Sequence, residues 1–314
     1  MQFNHTTVLL RETVDGLNLK NGSVVCDGTV GGGGHALAIA EKIGANGTLI
    51  CMDKDGEALA AASKRLEGSA TRKMFFKGNF SEISKVLSEN SLGGLDGAVL
   101  DLGVSSKQLD DPDRGFSYMQ DGPLAMKMNG EDSGDELSAI DVVNGYSEED
   151  LHKIIRDYGE ERWAKRIAEF IVKERKVSPI LTTARLAETI KNAIPAAARR
   201  EGPHPAKRTF QAIRIEVNDE LGSLSQGLEA LVSVLNPKGR LAVITFHSLE
   251  DRIVKEFFRK REDPCECPKN LPRCVCGKVA DAKRINRKPI LPSEEEIENN
   301  PRSRSAKLRI LEKL

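Results

Sequence analysis

Residues 24–35, VVCDGTVGGGGH, constrain the chain more than any other stretch. Val24, Val25 and Cys26 form a short apolar run, Asp27 follows, and a loop then carries Gly28, Gly31, Gly32, Gly33 and Gly34. Glycine lets the main chain take positive φ and lets a ligand come close to it. The next apolar run, TLICMD (48–53), closes on Asp53, 22 residues beyond Gly31. In dinucleotide-binding folds an acid about 20 residues past such a loop accepts the ribose hydroxyls. Strand, glycine loop, helix, strand and acid, in that order, predict a nucleoside-binding βαβ unit.

The same alternation extends through the first hundred residues. Helix-like ALAIAEKI (36–43) and EALAAASKRL (57–66) separate TLICMD from KMFFKGNF (73–80), and GAVLDLG (97–103) follows. Apolar runs of four to six residues between helical segments indicate a parallel sheet. The pattern breaks from about 104 to 206, where helical spacing takes over: Trp163, Ile167, Phe170 and Ile171, then Leu186, Ile190 and Ile194. Phe210, Ile213, Val217, Leu221, Leu224, Leu228, Leu231 and Leu235 then mark one long amphipathic helix. NPKG turns it into a strand, LAVITF (241–246), and AKLRILEK (306–313) is expected as the last strand. The expected architecture is an α/β domain of residues 1–105 and 207–314, interrupted by a helical insertion at 106–206.

At 314 residues with 30% charged and 39% hydrophobic content, the chain is long enough to bury sizeable cores. No apolar run approaches the length of a membrane span. The opening MQFNHTTVLLRE lacks the basic and apolar regions of a secretory signal, so a cytoplasmic location is expected. Lys plus Arg and Asp plus Glu are 47 each. That balance is a cancellation. Residues 131–150 hold eight acids and no base, whereas 259–288 hold ten bases against four acids and 199–214 five against one.

Asp27 decides which adenosine-bearing ligand suits the loop. A pyrophosphate would be repelled by a carboxylate there. The ammonium and sulfonium of S-adenosylmethionine would be attracted, although Asp27 also serves as a cap for loop amides. S-adenosylmethionine is therefore favoured over a nicotinamide dinucleotide. Asn79 and Phe80, closing the third strand, are placed to frame an adenine, and Phe80 is equally suited to plain core packing.

GTVGGGGH, DLGVSSKQLDDPDRGFSYMQDGPLAMKM (101–128), GPHPAKRTFQAIRIEVNDEL (202–221), TFHSLEDRIVK (245–255) and NPRSRSAKLR (300–309) resemble the bacterial small-subunit ribosomal RNA cytosine-N4-methyltransferases, the RsmH (MraW) family. HTTVLLRETVDGL (5–17) fits the same pattern. The resemblance implies a class I S-adenosylmethionine-dependent methyltransferase fold, Rossmann-like with a mainly parallel sheet, and an inserted helical domain for RNA recognition. It implies S-adenosylmethionine as donor and a decoding-region cytidine of small-subunit ribosomal RNA as substrate, met as free RNA or in the assembled 30S particle. It assigns donor contacts to Gly33, Gly34, His35, Asp53, Phe80, Asp101 and Gln108. One departure stands out: after Gly-Pro-Leu the family has an acid followed by Met-Arg-Met-Asp, and this chain has Ala125-Met126-Lys127-Met128-Asn129. The two carboxylates on which a catalytic role for that segment would rest are missing. A homodimer is a further expectation.

Methylating cytosine N4 is an in-line displacement at a sulfonium carbon, in which the enzyme aims the amino group and accepts hydrogen bonds from it. Such acceptors belong at the C-terminal ends of parallel strands, which makes Asp101 the first catalytic candidate, although the resemblance gives it to the donor. His247 is the second, against a reading of Ser248 and Asp251 as a capping box. Phe116 and Tyr118 are stacking candidates for an unstacked base. Lys207, Arg208, Arg214 and Asn218 are candidates for RNA contact, with Gln211 on the same polar stripe, as are Arg199, Arg200 and the 259–288 bases. Cys265, Cys267, Cys274 and Cys276, spaced C-x-C-x6-C-x-C, are candidate ligands of a structural zinc. Cys26 and Cys51 read as strand packing. The competing functions are an NAD-dependent oxidoreductase and a non-catalytic RNA-binding assembly factor.

Overall fold

The computed structural model describes residues 7–130, 136–200, 202, 204–268 and 275–314. The chain begins with α1 (Leu10–Gly16), β1 (Val24–Asp27), α2 (Gly34–Ile43), β2 (Thr48–Asp53), α3 (Gly56–Arg65), β3 (Arg72–Lys77), α4 (Ile83–Glu89) and β4 (Leu95–Asp101). Helices follow: α5 (Ser106–Asp110), α6 (Ala139–Gly145), α7 (Glu148–Asp157), α8 (Ala164–Val177), α9 (Thr183–Ala193), α10 (Lys207–Asn218) and α11 (Glu220–Val234). The chain then returns to the sheet through β5 (Leu235–Thr245), α12 (Ser248–Glu262), β6 (Ala282–Arg284), α13 (Glu294–Asn299) and β7 (Lys307–Lys313). Two compact units result, Met1–Gly103 with Leu221–Leu314, and Val104–Glu220.

The first unit is a seven-stranded sheet in the order β3-β2-β1-β4-β5-β7-β6. β1 pairs in parallel with β2 and with β4, β3 with β2, and β5 with β4, while β7 runs antiparallel to β5 and β6. This is the class I, Rossmann-like fold. The order reverses beside β1, and the adjacent C-terminal ends of β1 and β4 form the crevice where open α/β sheets take ligands. Strands of such a sheet are covered on both faces, which explains their uninterrupted apolar runs. Successive residues alternate between two cores. Cys26, Ile50, Met52, Leu100 and Val243 face α4, α11 and α12, while Val25, Leu49, Cys51, Val99 and Ile244 face α2 and α3. Cys26 and Cys51 are fully buried strand residues, as their runs suggested.

The second unit has its own core, which includes Val142, Ile154, Ile167, Ile171, Leu186, Ile190, Phe210 and Ile213. Ser147 and Thr182 cap α7 and α9 by accepting the amides of Asp150 and Arg185. Pro123 and Thr182 form a single isolated bridge. Among the described residues no helix is long and apolar enough to cross a membrane.

Three local expectations are corrected. The long helix expected from Phe210 to Leu235 is two helices, broken at Asp219, which adopts φ 44. The apolar positions keep their spacing across the break, so periodicity alone could not reveal it. The insertion ends at Glu220 and not at 206, because Phe210 and Ile213 on α10 bury in the second core. Pairing of β5 begins at Leu235, and NPKG forms an irregularity within the strand, with Lys238 at φ 68 and a register shift opposite Leu95 and Gly97.

Candidate active site

β1 delivers Asp27 to the crevice, almost fully buried. Its Oδ1 accepts the Thr29 amide at 3.2 Å, and its Oδ2 has no hydrogen-bond partner among the described residues. Burial pushes this carboxyl up to about 7; the Thr29 amide opposes the rise and the Asp53 charge adds to it. The glycine loop then turns into α2 at Gly33, which has φ 76 and a Cβ position only 3.0 Å from the Ala62 backbone. Any side chain there meets both backbone strain and α3. A Cβ on Gly34 would collide with the Thr7 hydroxyl. The loop is therefore held against the protein with its main chain bare.

Asp101 ends β4 beside it. Thr29 Oγ1 accepts the Asp101 amide at 2.6 Å, so one threonine ties both acids together. Asp101 Oδ2 lies 3.8 Å from His35 Nδ1, and Oδ1 is buried without a partner among the described residues. Burial pushes this carboxyl up to about 8, and the charges of Asp27 and Glu250 push it the same way. Its side chain keeps 26% of its surface, so water screens part of that effect. His35 Nε2 lies 3.1 Å from the Val8 carbonyl, a contact in which the ring must donate, so in the neutral ring Nδ1 is an acceptor facing Asp101.

Glu250 enters from α12. Its Oε2 accepts the amides of Phe246 at 2.8 Å and His247 at 3.3 Å, while His247 Nδ1 caps the Glu250 amide. His247 Nε2 stands 3.1 Å from Glu250 Oε1. The capping box is thus His247 with Glu250, one residue earlier than the Ser248–Asp251 pair expected from sequence. Asp251 instead holds Arg309 and Lys307, which keep its carboxyl below the usual range despite burial. His247 Nδ1 serves as the cap, while Nε2, although close to Glu250, makes no hydrogen bond among the described residues, so the ring has at least a positioning task.

Asp53 holds loop backbone with both oxygens, Oδ2 accepting the Gly31 amide and Oδ1 that of Asp55, each at 2.9 Å. Burial raises its carboxyl and these amides oppose the rise. Each oxygen retains a second lone pair for a ribose hydroxyl. Phe80 is 9% exposed and packs so close to Gly227 that a Cβ there would overlap its ring. Asn79 caps the turn at Phe80–Glu82 and donates to Ser223 Oγ at 2.9 Å. Ser223 also receives Lys54 Nζ at 3.4 Å.

The remaining candidates lie in the second unit. Gln108 is buried in α5, where Oε1 accepts the Ser105 amide and Nε2 donates to the Met128 carbonyl. Asn218 donates to the Met126 and Arg214 carbonyls and accepts the Met128 amide, all at 2.8 Å. Arg214 makes a bidentate pair with Glu220 at 2.8 and 2.9 Å. Both were expected on RNA, and both are instead occupied in brackets that shape their own unit. Lys207 and Arg208 are exposed. Phe116 is core, and Tyr118 stacks on His204 at 4.7 Å with Phe210 edge-on at 5.6 Å, so neither ring is presented for a base.

The MraW methylase family matches residues 2–314. Over 314 residues the chain is 54% identical to the ribosomal RNA small subunit methyltransferase H of Clostridioides difficile, covering 100% of both. It is 53% identical to the protein of that name from Symbiobacterium thermophilum, covering 100% of this chain and 98% of the other. The chain belongs to the MraW methylase family. A putative methylase structure from Clostridium thermocellum aligns over 98% of this chain and 99% of its own, with a TM-score of 0.45 and 12% identity, which adds nothing to that assignment.

For a methylase of this family, the loop must hold a donor with a cationic sulfur. Two buried carboxylate oxygens without hydrogen-bond partners among the described residues, and a bare glycine loop, fit S-adenosylmethionine. The departing segment Ala125–Asn129 has a backbone role: Met126 takes φ 56, and Arg114 donates to the Lys127 and Met128 carbonyls, both at 3.0 Å. Cys265, Cys267 and Cys276 converge, with sulfur atoms within 4.8 Å of one another; Cys274 lies outside the described residues, as do Lys269 and Arg273. Sequence reasoning passed over Thr29 and Ser223 and saw in Glu250 only a helix-terminal acid. A threonine between Gly28 and Val30 carries no signal of its own, because its hydroxyl's partner, the Asp101 amide, lies 72 residues away.

Proposed function

We propose that this methylase transfers the methyl group of S-adenosylmethionine to the exocyclic N4 of a cytidine in the decoding region of small-subunit ribosomal RNA, acting in the cytoplasm. The observation that carries the donor half is the pair of unpartnered buried oxygens, Asp27 Oδ2 and Asp101 Oδ1. Unpaired carboxylates are costly to bury, and a cationic ligand offsets that cost. With Glu250 nearby, the same charges would repel the pyrophosphate of a nicotinamide dinucleotide, which disfavours an oxidoreductase. When bound, S-adenosylmethionine supplies an electrophilic methyl carbon. Asp53 accepts ribose hydroxyls, and the Asp27 carboxylate faces the positive charge. Asp101 Oδ1 would accept an N4 hydrogen, aim the nitrogen lone pair at the methyl group and take up the proton that N4 loses on methylation. With this carboxyl raised to about 8, its accepting carboxylate form grows as pH rises towards 8, and turnover should rise with it.

The RNA half draws on Lys207 and Arg208. They open α10, whose N-terminus has no side-chain cap. Cations at that end oppose the helix dipole; Arg208 donates one N–H to the Glu160 carbonyl at 3.0 Å, and a phosphate there would compensate the remaining charge of both. The test is nucleoside mass spectrometry of ribosomal RNA from cells with the wild-type protein, without it, and with Asp101→Asn. N4-methylcytidine should disappear in both altered strains, while purified Asp101→Asn still binds S-adenosylhomocysteine. Unchanged N4-methylcytidine without the protein would overturn the assignment.

A further inference from the structure

Between the end of α12 at Glu262 and the start of β6 at Ala282, the described residues 263–268 and 275–281 contain no helix or strand. Long irregular connections of that kind within a compact unit are uncommon unless something other than apolar burial orders them. Apolar burial does not order this one: Val275 is 77% exposed and Val279 84%. The side chains that converge are thiols. Cys265, Cys267 and Cys276 bring their sulfur atoms within 4.8 Å of one another, and Cys265 Sγ lies 3.9 Å from Cys276 Sγ. That separation is nearly twice a disulfide bond length of about 2.05 Å. It agrees with the edge of a tetrahedron whose metal–sulfur distance is about 2.3 Å, which is roughly 3.8 Å.

We propose that Cys265, Cys267 and Cys276 bind a structural zinc ion as thiolates. Two further features suit charged sulfur. The Val275 amide donates to Cys267 Sγ at 3.4 Å, the outer hydrogen bond that orients and tunes a metal-bound thiolate. Lys278 bonds Glu266 at 2.6 Å, clamping together the two strands of chain that carry the cysteines. The base of the loop is closed independently, by Arg261 Nη1 to Asp281 Oδ2 at 2.8 Å and the Asp281 amide to the Arg261 carbonyl at 3.3 Å. The thiols are thus brought together just beyond the base that Arg261 and Asp281 close. Three thiolates leave one position of a tetrahedral site to a further donor. Among the described residues neither His nor a carboxylate joins this cluster, so the site is structural and orders the connection between α12 and β6 without entering the methyl transfer.

The experiment is elemental analysis of the full chain purified without chelators, with X-ray absorption at the zinc edge. About one zinc per chain, with three or four sulfur neighbours at about 2.3 Å, is expected. Cobalt replacement should give a thiolate charge-transfer band. The double variant Cys265→Ser, Cys276→Ser should lose at least about fivefold in zinc content while binding S-adenosylhomocysteine within about twofold of wild type. Should that variant not fold, titrating wild type with a mercurial reagent reads the same property, zinc leaving in step with the thiols. Absence of zinc together with absence of the cobalt band overturns the proposal. So does zinc retained by the folded double variant or by the titrated wild type, or a Cys265–Cys276 disulfide in protein prepared anaerobically.

Discussion

Asp27 and Asp101 both end strands, and both have carboxyls raised from an ordinary 3.8, to about 7 and about 8. Between those limits the folded chain binds more protons than the unfolded one, so stability falls as pH rises from about 4 to about 8. For Asp27, which is 1% exposed, the loss is on the order of 4 kcal/mol. Denaturant unfolding of the ligand-free protein should show it, and Asp27→Asn should flatten the profile. The same protonation opposes a cationic ligand. Affinity for S-adenosylmethionine relative to S-adenosylhomocysteine should therefore rise about tenfold between pH 6 and 8 as Asp27 ionises. A ratio independent of pH would show that these carboxylates do not face the sulfonium. Asp27, Asp53 and Asp101 were legible because each closes an apolar run. Thr29 was not, because its hydroxyl accepts the amide of Asp101, 72 residues away, and no local pattern records that pairing.

Elements were legible where one face of a repeat is buried, and illegible where the backbone departs from the repeat. α8 and α9 follow the spacing of Ile167 and Ile171, and of Leu186 and Ile190. Asp219 breaks α10 from α11 without disturbing that spacing, and Asn218 beside it was taken for a substrate contact although it brackets the chain at Met126 and Met128. Asn218→Ala should leave those backbone groups short of partners and cost about 1–3 kcal/mol in unfolding measurements. α12 offers a parallel test. Removing its cap with His247→Ala should cost about 1 kcal/mol, whereas His247→Asn keeps a side-chain acceptor and should restore most of it. If the ring only positions Glu250, methyl transfer by His247→Asn stays close to wild type. A loss of turnover in His247→Asn with stability intact would make the ring a direct participant.

Across the whole molecule the equal numbers of acids and bases are divided by task. Glu148, Glu149 and Asp150 lie in the first turn of α7, where negative charge stabilises the helix dipole. Lys207 and Arg208 occupy the corresponding end of α10, where positive charge works against it. Acids thus serve the helix they open, whereas these bases oppose theirs; Arg208 donates one N–H to the Glu160 carbonyl at 3.0 Å, and an external anion would compensate the rest. Net charge, which is zero, carries no information about that partner. Affinity for the RNA should accordingly fall with salt, with a slope set by the number of phosphates neutralised. For a single-stranded target the double substitution Lys207→Ala, Arg208→Ala should reduce that slope by about 1.4, roughly 0.7 per lost contact. The melting temperature should change little, since removing the unfavourable dipole contact offsets the loss of the Arg208–Glu160 hydrogen bond. Filter-binding titrations over a range of salt concentrations measure the slope directly. An unchanged slope would mean that both side chains are solvated and that RNA is held by other bases, those flanking the cysteine loop being the next to test.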